Sequence, residues 1–219
     1  MRVVMIHALV ESMSPVKGAF KEEFPEAELI NVLDEGLFID FEGKITPGLR
    51  RRMSQLICYS AEHGASAIGL ACSVYAPVVD TAQELVDIPV ISSYGPVMDE
   101  AVKYGRRVGI IASVPATLRD AEYYLCRAAA ERGVAVEPQL CLAEDLIPVL
   151  RMEGESAFHR RLAEEVNRMA LSSVDVVLLS QFSMASALTY LRASADVPVL
   201  SAPHSSARRL KELLAVATH

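Results

Sequence analysis

The chain has 219 residues, of which 52% are hydrophobic and 22% are charged, a balance typical of a globular protein with a sizeable core. Its 28 acidic and 21 basic residues give a net charge of −7, which argues against nucleic acid as a partner because a phosphate-binding face needs excess lysine and arginine. No apolar run approaches the roughly 18 residues that span a bilayer, so we expect a protein that does not enter a membrane. No signal peptide is visible and the four cysteines lack paired spacing, so we expect a cytoplasmic protein.

Short apolar runs alternate along the chain with longer stretches of helical period. The runs predict strands at residues 2–8, 28–32, 66–71, 89–92, 107–112, 135–140, 175–179 and 198–201. The stretches between them predict helices at residues 15–24, 47–63, 77–86, 97–104, 115–132, 155–171, 183–193 and 205–217. Strands that are apolar throughout are buried on both faces, so we predict an α/β fold of mainly parallel sheets flanked by helices.

Two parts of the chain resemble each other. Residues 65–77 and 174–188 both read as a strand, a polar turn containing serine, and a helix. We infer two pseudo-symmetric lobes, the first formed by residues 1–94 and 196–219 and the second by residues 95–195. Ligands of open α/β sheets bind beyond the carboxyl ends of the strands, so we expect both turns to face a cleft between the lobes.

Cys72 is the main candidate for a reactive group. It follows a buried strand at a predicted helix N-terminus, where the helix dipole and free N–H groups are expected to lower the pKa of a thiol. The matching turn of the second lobe carries Gln181, whose amide cannot exchange a proton at a useful rate but can donate hydrogen bonds to a carboxylate or enolate oxygen. The other cysteines lie within helix patterns or just after a strand and are interpreted as packing residues: Cys58, Cys126 and Cys141.

Hydroxyl side chains near the strand ends have two interpretations. Ser73 and Ser183 either cap the following helix or, with the backbone N–H groups there, bind a substrate carboxylate. Ser113 and Thr117 flank the turn after strand 107–112, where capping is the simpler explanation and anion binding is the alternative.

Two histidines lie near strand ends. His7 ends the first strand, where it either orients a substrate and tunes the thiolate or is a satisfied polar residue. His204 is placed in a loop after the last strand and is a second candidate for the acid that Gln181 cannot supply. No His, Cys, Asp or Glu set has metal-ligand spacing and no glycine-rich phosphate loop follows a strand, so we expect neither a metal nor a cofactor.

Five stretches carry a family resemblance: the turn Ala71-Cys72-Ser73, residues 89–117, the turn Gln181-Phe182-Ser183-Met184, His7-Ala8-Leu9 with Ser12, and Asn31-Val32-Leu33-Asp34. Together they resemble the aspartate/glutamate/hydantoin racemase superfamily over essentially the whole chain. The resemblance implies two pseudo-symmetric α/β lobes with the active site between them. It also implies chemistry without cofactor or metal at a carbon next to a carboxylate, and it adds Ser12 to the expected substrate-binding residues.

The resemblance breaks at one position, because family racemases carry one thiol per lobe and this chain has Cys72 in the first lobe and Gln181 in the second. We expect a cofactor-independent racemase or isomerase that moves a proton at the α-carbon of a small carboxylate (an amino acid, hydantoin or hydroxy acid), with Cys72 as acid/base. Two alternatives stay open: a one-thiol decarboxylase of malonate-type acids, although such enzymes keep the thiol in the second lobe, and a non-catalytic small-carboxylate binding protein. Superfamily members commonly associate, which implies a homo-oligomer, by default a dimer.

Overall fold

Eight strands form two parallel four-stranded sheets in the computed structural model, which describes residues 1–216. The chain divides into two units, one made of Met1–Pro96 and the segment from Pro203 onward, the other made of Val97–Ala202. Each unit holds one sheet and its flanking helices, so the predicted fold of two α/β lobes with parallel sheets is confirmed. Residues 217–219 lie outside the described residues. They include the end of the predicted first lobe, and residue 217 is the last of the final predicted helix.

The sheet of the first unit has the order β2-β1-β3-β4, with strands at Arg2–His7 (β1), Glu28–Leu33 (β2), Ala67–Leu70 (β3) and Val90–Ile91 (β4). Met5 of β1 pairs with Asn31 of β2 and with Gly69 of β3, and Gly69 pairs with Ile91 of β4. Because all four strands are parallel, their carboxyl ends meet at one edge of the sheet.

The sheet of the second unit repeats this arrangement. Its strands lie at Arg107–Ala112 (β5), Glu137–Leu142 (β6), Val176–Leu179 (β7) and Val199–Ser201 (β8), in the order β6-β5-β7-β8. Counted within each unit, both sheets have the same order: second, first, third, fourth. β3 and β7 therefore occupy equivalent positions in their sheets.

Ten α-helices connect the described strands: Met13–Glu23 (α1), Gly36–Ile39 (α2), Pro47–Glu62 (α3), Val79–Gln83 (α4), Gly95–Ala101 (α5), Pro115–Glu131 (α6), Leu146–Glu153 (α7), Glu155–Leu171 (α8), Leu188–Ser194 (α9) and Ala202–Val216 (α10). Three 3₁₀ segments accompany them: Val10–Ser12, Ser73–Val78 and Phe182–Ala187. Within residues 1–216, no helix has the length and apolar character needed to cross a membrane.

The structure differs from the predicted elements in the polar turns and in two missed helices. The first residues of the helices predicted at 77–86 and 183–193 belong to 3₁₀ segments instead, and the α-helices begin only at Val79 and Leu188. The first 3₁₀ segment contains Pro77 and so lacks one N–H for a regular α-helical ladder. The missed α2 is only four residues long, too short for a period to show. The missed α7 is separated from α8 by Gly154, whose φ of 83° lies in the left-handed region that favours glycine.

Each unit has its own hydrophobic core. In the first unit, Ile68 and Leu70 of β3 pack with Met53 and Ile57 of α3, and all four are fully buried. The opposite face of β3 is covered by α10, because a Cβ added to Gly69 would lie 3.5 Å from Leu210 Cδ1. In the second unit, the fully buried side chains of the core include those of Phe158, Leu162, Val166 and Leu179.

Substitution of alanine for each of two methionines, one buried and one exposed, tests this assignment of the core. Met53 is completely buried in the first unit, whereas Met152 of α7 is 85% exposed. We expect Met53→Ala to lower the free energy of unfolding by about 2–5 kcal/mol, since it removes buried apolar atoms and leaves a cavity. Met152→Ala, the matched control, should change it by less than about 0.5 kcal/mol. Equal effects in urea denaturation would contradict the core described above.

Candidate active site

Cys72 lies just beyond the carboxyl end of β3 in the first unit. The strand pairing extends to the preceding residue, since Ala71 N donates to Ile6 O at 2.8 Å. Cys72 itself has extended backbone angles and is the N-cap of the 3₁₀ segment Ser73–Val78. Its side chain is only 8% exposed, so the thiol is enclosed by the first unit's core.

Burial controls the ionisation of this thiol. It raises the pKa of Cys72 from 9.0 to about 12, whereas the backbone N–H groups of Val74 and Tyr75 act in the opposite direction and less strongly. The predicted lowering of the pKa at a helix N-terminus is therefore wrong. The segment that follows is a short 3₁₀ turn rather than a long α-helix, and the loss of water around the thiolate outweighs its N–H groups.

Tyr75 anchors the segment that follows Cys72. Its side chain is fully buried, and its Oη donates to Leu37 O of α2 at 2.7 Å. Burial raises the pKa of Tyr75, and the proximity of Cys72 acts in the same direction. The sequence analysis did not identify Tyr75 as a site residue, although it lies only three residues after Cys72.

His7 ends β1 as a fully buried residue with both ring nitrogens engaged. Nδ1 lies 2.6 Å from Ser12 Oγ, and Nε2 lies 2.8 Å from Asn31 Oδ1. Ser12 Oγ also donates to Leu9 O at 2.7 Å. Asn31 Oδ1 is an acceptor, so His7 Nε2–H donates to it, and this hydrogen bond opposes the effect of burial on the pKa of His7. Burial lowers the pKa of His7 to about 4, which keeps the ring neutral near pH 7.

The structure thus brings together two of the predicted site residues, His7 and Ser12, and adds Asn31. This arrangement satisfies His7 internally, as one of its two interpretations expects. The sequence analysis did not identify Asn31 as a site residue. The available signal was a single amide side chain between the apolar residues of strand β2.

The two other candidates of the first unit have different surroundings. Ser73 begins the 3₁₀ segment and is half-buried, and the N-cap of that segment is Cys72 rather than Ser73. His204 is buried, and its Nε2 lies 3.3 Å from Glu22 Oε2 of α1. The prediction that His204 lies in a loop is wrong: α10 begins at Ala202, directly after β8, and Pro203 fits the first turn of a helix.

The equivalent turn of the second unit carries Gln181, which is the N-cap of the 3₁₀ segment Phe182–Ala187. Its side-chain oxygen, Oε1, accepts from the backbone N of Ser113 at 2.5 Å and from Ser113 Oγ at 2.9 Å. The neighbouring Ser180 Oγ donates to Ile111 O at 2.7 Å, which ties the same turn to β5. The amide of Gln181 is therefore held by its oxygen, and its NH₂ group is directed away from Ser113.

The hydroxyl candidates of the second unit are all buried. Ser113 follows β5 and does not cap α6, whose N-cap is Val114, so the capping interpretation of Ser113 is wrong. Thr117 lies in the first turn of α6 and Ser183 lies in the 3₁₀ segment after Gln181. Within residues 1–216, no group of three or more His, Cys, Asp or Glu side chains is arranged to hold a metal ion.

Comparison with known proteins identifies relatives of this architecture. A sequence model of the Asp/Glu/hydantoin racemase family matches residues 42–210. The chain is similar to allantoin racemase from Klebsiella pneumoniae, with a TM-score of 0.77 and 19% identity, covering 99% of this chain and 89% of that one. It is also similar to an aspartate racemase homologue from Pyrococcus horikoshii OT3, with a TM-score of 0.75 and 20% identity, covering 98% and 99% of the two chains.

A third similar structure is a glutamate racemase isoform from Bacillus anthracis, with a TM-score of 0.72 and 17% identity, covering 98% of this chain and 82% of that one. No curated protein sequence matches the chain. At these identities the solved structures establish a shared fold.

The lowered pKa of His7 makes stability depend on pH. A histidine titrates near 6.5 in the unfolded chain and near 4 in this folded protein, so between these values the unfolded state binds more protons. The stability that the neutral ring contributes is complete above pH 6.5 and is lost as the pH falls toward 4. We expect the loss to reach about 2 kcal/mol at pH 5.

Urea denaturation at a series of pH values measures this contribution as the difference between wild type and His7→Asn. The variant lacks the titrating ring, so its free energy of unfolding should fall less steeply between pH 6.5 and 4. Identical slopes for the two proteins would show that His7 is not held neutral by burial.

Proposed function

The chain belongs to the Asp/Glu/hydantoin racemase family and is an isomerase of the racemase type, and on that premise we propose that Cys72 moves a proton at the α-carbon of a small carboxylate. The substrate class in this proposal is an amino acid, a hydantoin or a hydroxy acid. The observation that carries it is the position of Cys72, a buried thiol just beyond the carboxyl end of β3 and the N-cap of the turn that follows.

The proposed chemistry requires a strong base and a place for negative charge. The hydrogen next to a carboxylate is a weak acid, so its removal requires a strong base, whereas a thiol of high pKa is mostly protonated near neutral pH. In the proposed step the Cys72 thiol first loses its proton to water. The resulting thiolate takes the α-hydrogen as a proton and becomes a thiol again, while the electron pair of the C–H bond spreads onto the carboxylate oxygens. Return of the proton from the thiol to the same face restores the starting enantiomer, and delivery of a proton from water to the opposite face completes racemisation.

Gln181 is proposed to stabilise the charge rather than to move a proton. Its amide has no proton that transfers at a useful rate, but its NH₂ group can donate hydrogen bonds to a carboxylate or enolate oxygen. Ser113 supports this role because its two hydrogen bonds to Oε1 fix the orientation of the amide. Ser73, Ser183 and Thr117 are proposed to contribute further hydrogen bonds to the substrate.

Proton exchange in heavy water tests the role of Cys72. The protein is incubated with amino acids, hydantoins and hydroxy acids, and deuterium at the α-carbon is followed by NMR. We expect wild type to introduce deuterium into at least one substrate class and Cys72→Ala to lose this activity. Cys126→Ala, at an exposed cysteine, is the matched control and should keep it. Exchange by Cys72→Ala at the wild-type rate would remove the basis of the proposal.

The stereochemistry of the exchanged product identifies the reaction. Inversion at the α-carbon supports racemisation, and retention supports proton transfer by one base on one face. Loss of carbon dioxide would indicate a decarboxylase instead, and tight binding of a carboxylate without exchange would indicate a binding protein.

Gln181→Ala tests the second turn. Loss of one well-placed donor to developing negative charge should lower kcat by roughly 10–1000-fold while the protein stays folded. Ser113→Ala should lower kcat less, because it removes one of the two hydrogen bonds that hold the amide and leaves the backbone donor in place. Gln55→Ala, at an exposed glutamine of α3, is the matched control and should leave kcat unchanged. Full activity of Gln181→Ala would show that this turn has only a structural role.

A further inference from the structure

Two buried serine hydroxyls of the first unit stand out because they have no hydrogen-bond partner. Ser93 is fully buried and Ser206 is 1% exposed, and neither Oγ has a partner among residues 1–216. Other buried serines of the unit are satisfied: Ser12 Oγ donates to Leu9 O and Ser60 Oγ donates to Leu56 O, each at 2.7 Å. A buried polar atom without a partner disfavours folding, so such atoms are uncommon and point to a missing ligand atom.

Ser93 lies beside the strand that leads to Cys72. It follows β4, whose Ile91 pairs with Gly69 of β3 in a parallel register. β4 ends at Ile91 and β3 ends at Leu70, so Ser93 and Cys72 each lie two residues beyond the carboxyl end of their strand. Neighbouring strands are about 4.8 Å apart, so both residues belong to the same edge of the sheet.

Ser206 lies on the helix face that covers β3. Leu210 of α10 contacts the position of Gly69, and Ser206 precedes Leu210 by four residues, so both lie on one face of the helix. One helical turn spans about the same distance as two strand residues. Ser206 therefore lies about two strand residues away from Gly69 along β3. The direction in which α10 runs decides toward which end of β3 it lies.

Polar contacts of α10 with the end of α1 and the loop after it establish that direction. His204, Arg208 and Lys211 contact acidic residues in increasing order, namely Glu22 and Glu23 of α1 and Glu26 after it, so α10 runs parallel to α1. As the crossover between the parallel strands β1 and β2, α1 runs opposite to the strands. The start of α10 thus lies toward the carboxyl ends of the strands, so Ser206 approaches the same edge of the sheet as Ser93.

We propose that Ser93 and Ser206 donate hydrogen bonds to the carboxylate of a substrate bound at the edge of the sheet that also carries Cys72. This inference rests on the proposed function for the presence of a carboxylate at this edge of the sheet. An anionic oxygen accepts stronger hydrogen bonds than a neutral one, and a site shielded from water strengthens them further. These hydroxyls are satisfied only when an acid is bound, which makes them selective for acids over neutral analogues.

Ligand-dependent thermal unfolding tests this role without turnover. Malonate, succinate, aspartate and lactate are screened on wild type, and the acid with the largest rise in Tm is used, with malonamide as the uncharged comparison. In Ser93→Ala and Ser206→Ala that rise should shrink, and the Kd should increase by about 10–100-fold for each lost hydrogen bond to a charged group. The Tm of the free variants should stay equal or increase, because no hydrogen bond of the free protein is removed.

Ser60→Ala is the matched control, a buried serine whose hydroxyl is paired. It should lower the Tm of the free protein and keep the full rise with the acid. The inference is overturned if both serine variants keep the full rise, if their free Tm falls as in the control, or if no carboxylate raises the Tm of wild type. Serine variants that bind normally while Cys72→Ala still abolishes exchange would overturn this inference alone and leave the proposed function standing.

Discussion

The enclosure of the Cys72 thiol by the core of the first unit is the constraint on which the site depends. Raising the pKa from 9.0 to about 12 corresponds to about 4 kcal/mol against the thiolate, relative to a thiol in water. Two consequences follow. A neutral thiol does not repel an anionic substrate, so an acid can bind next to it. The thiolate, which forms when the thiol gives its proton to water, is a strong base that is present only in a small amount near neutral pH.

The two units build the same turn with different chemistry. β3 and β7 hold equivalent places in sheets of the same order, and each is followed by a residue that caps a 3₁₀ segment. In the first unit this residue is Cys72, which the core encloses. In the second unit it is Gln181, whose amide Ser113 holds by two hydrogen bonds. The same fold thus presents different groups at equivalent positions, a thiol in one unit and an amide in the other, and the tasks proposed for them differ accordingly.

The sequence predicted what depends on local pattern. All eight strands were predicted, six of them because buried parallel strands read as continuous apolar runs, whereas β2 and β6 lie at the edges of their sheets and are mostly not buried. The turn at Cys72 was visible because a polar turn interrupts such a run. The pKa of Cys72 was predicted with the wrong sign because desolvation depends on residues distant along the chain, such as those of α3. The contact of His7 with Asn31 was not predicted for the same reason, because it depends on the register between β1 and β2.

The unpaired hydroxyls of Ser93 and Ser206 illustrate a further limit of sequence reasoning. A serine after a strand reads as a cap or a turn residue, and Ser92 does accept from Gly95 N at 3.0 Å. Nothing in the sequence distinguishes it from its neighbour Ser93, which lacks a partner among residues 1–216. That distinction requires the packed structure.

The most direct test of the account is a pH titration of the Cys72 thiol in the free protein. The ultraviolet absorbance of thiolate is recorded for wild type and for Cys72→Ser, and their difference isolates one cysteine. The account predicts that this difference stays negligible through about pH 10, because burial raises the pKa of Cys72 to about 12. A Cys72-dependent thiolate signal near neutral pH would contradict it, since the thiol would then be neither desolvated nor neutral when the substrate arrives.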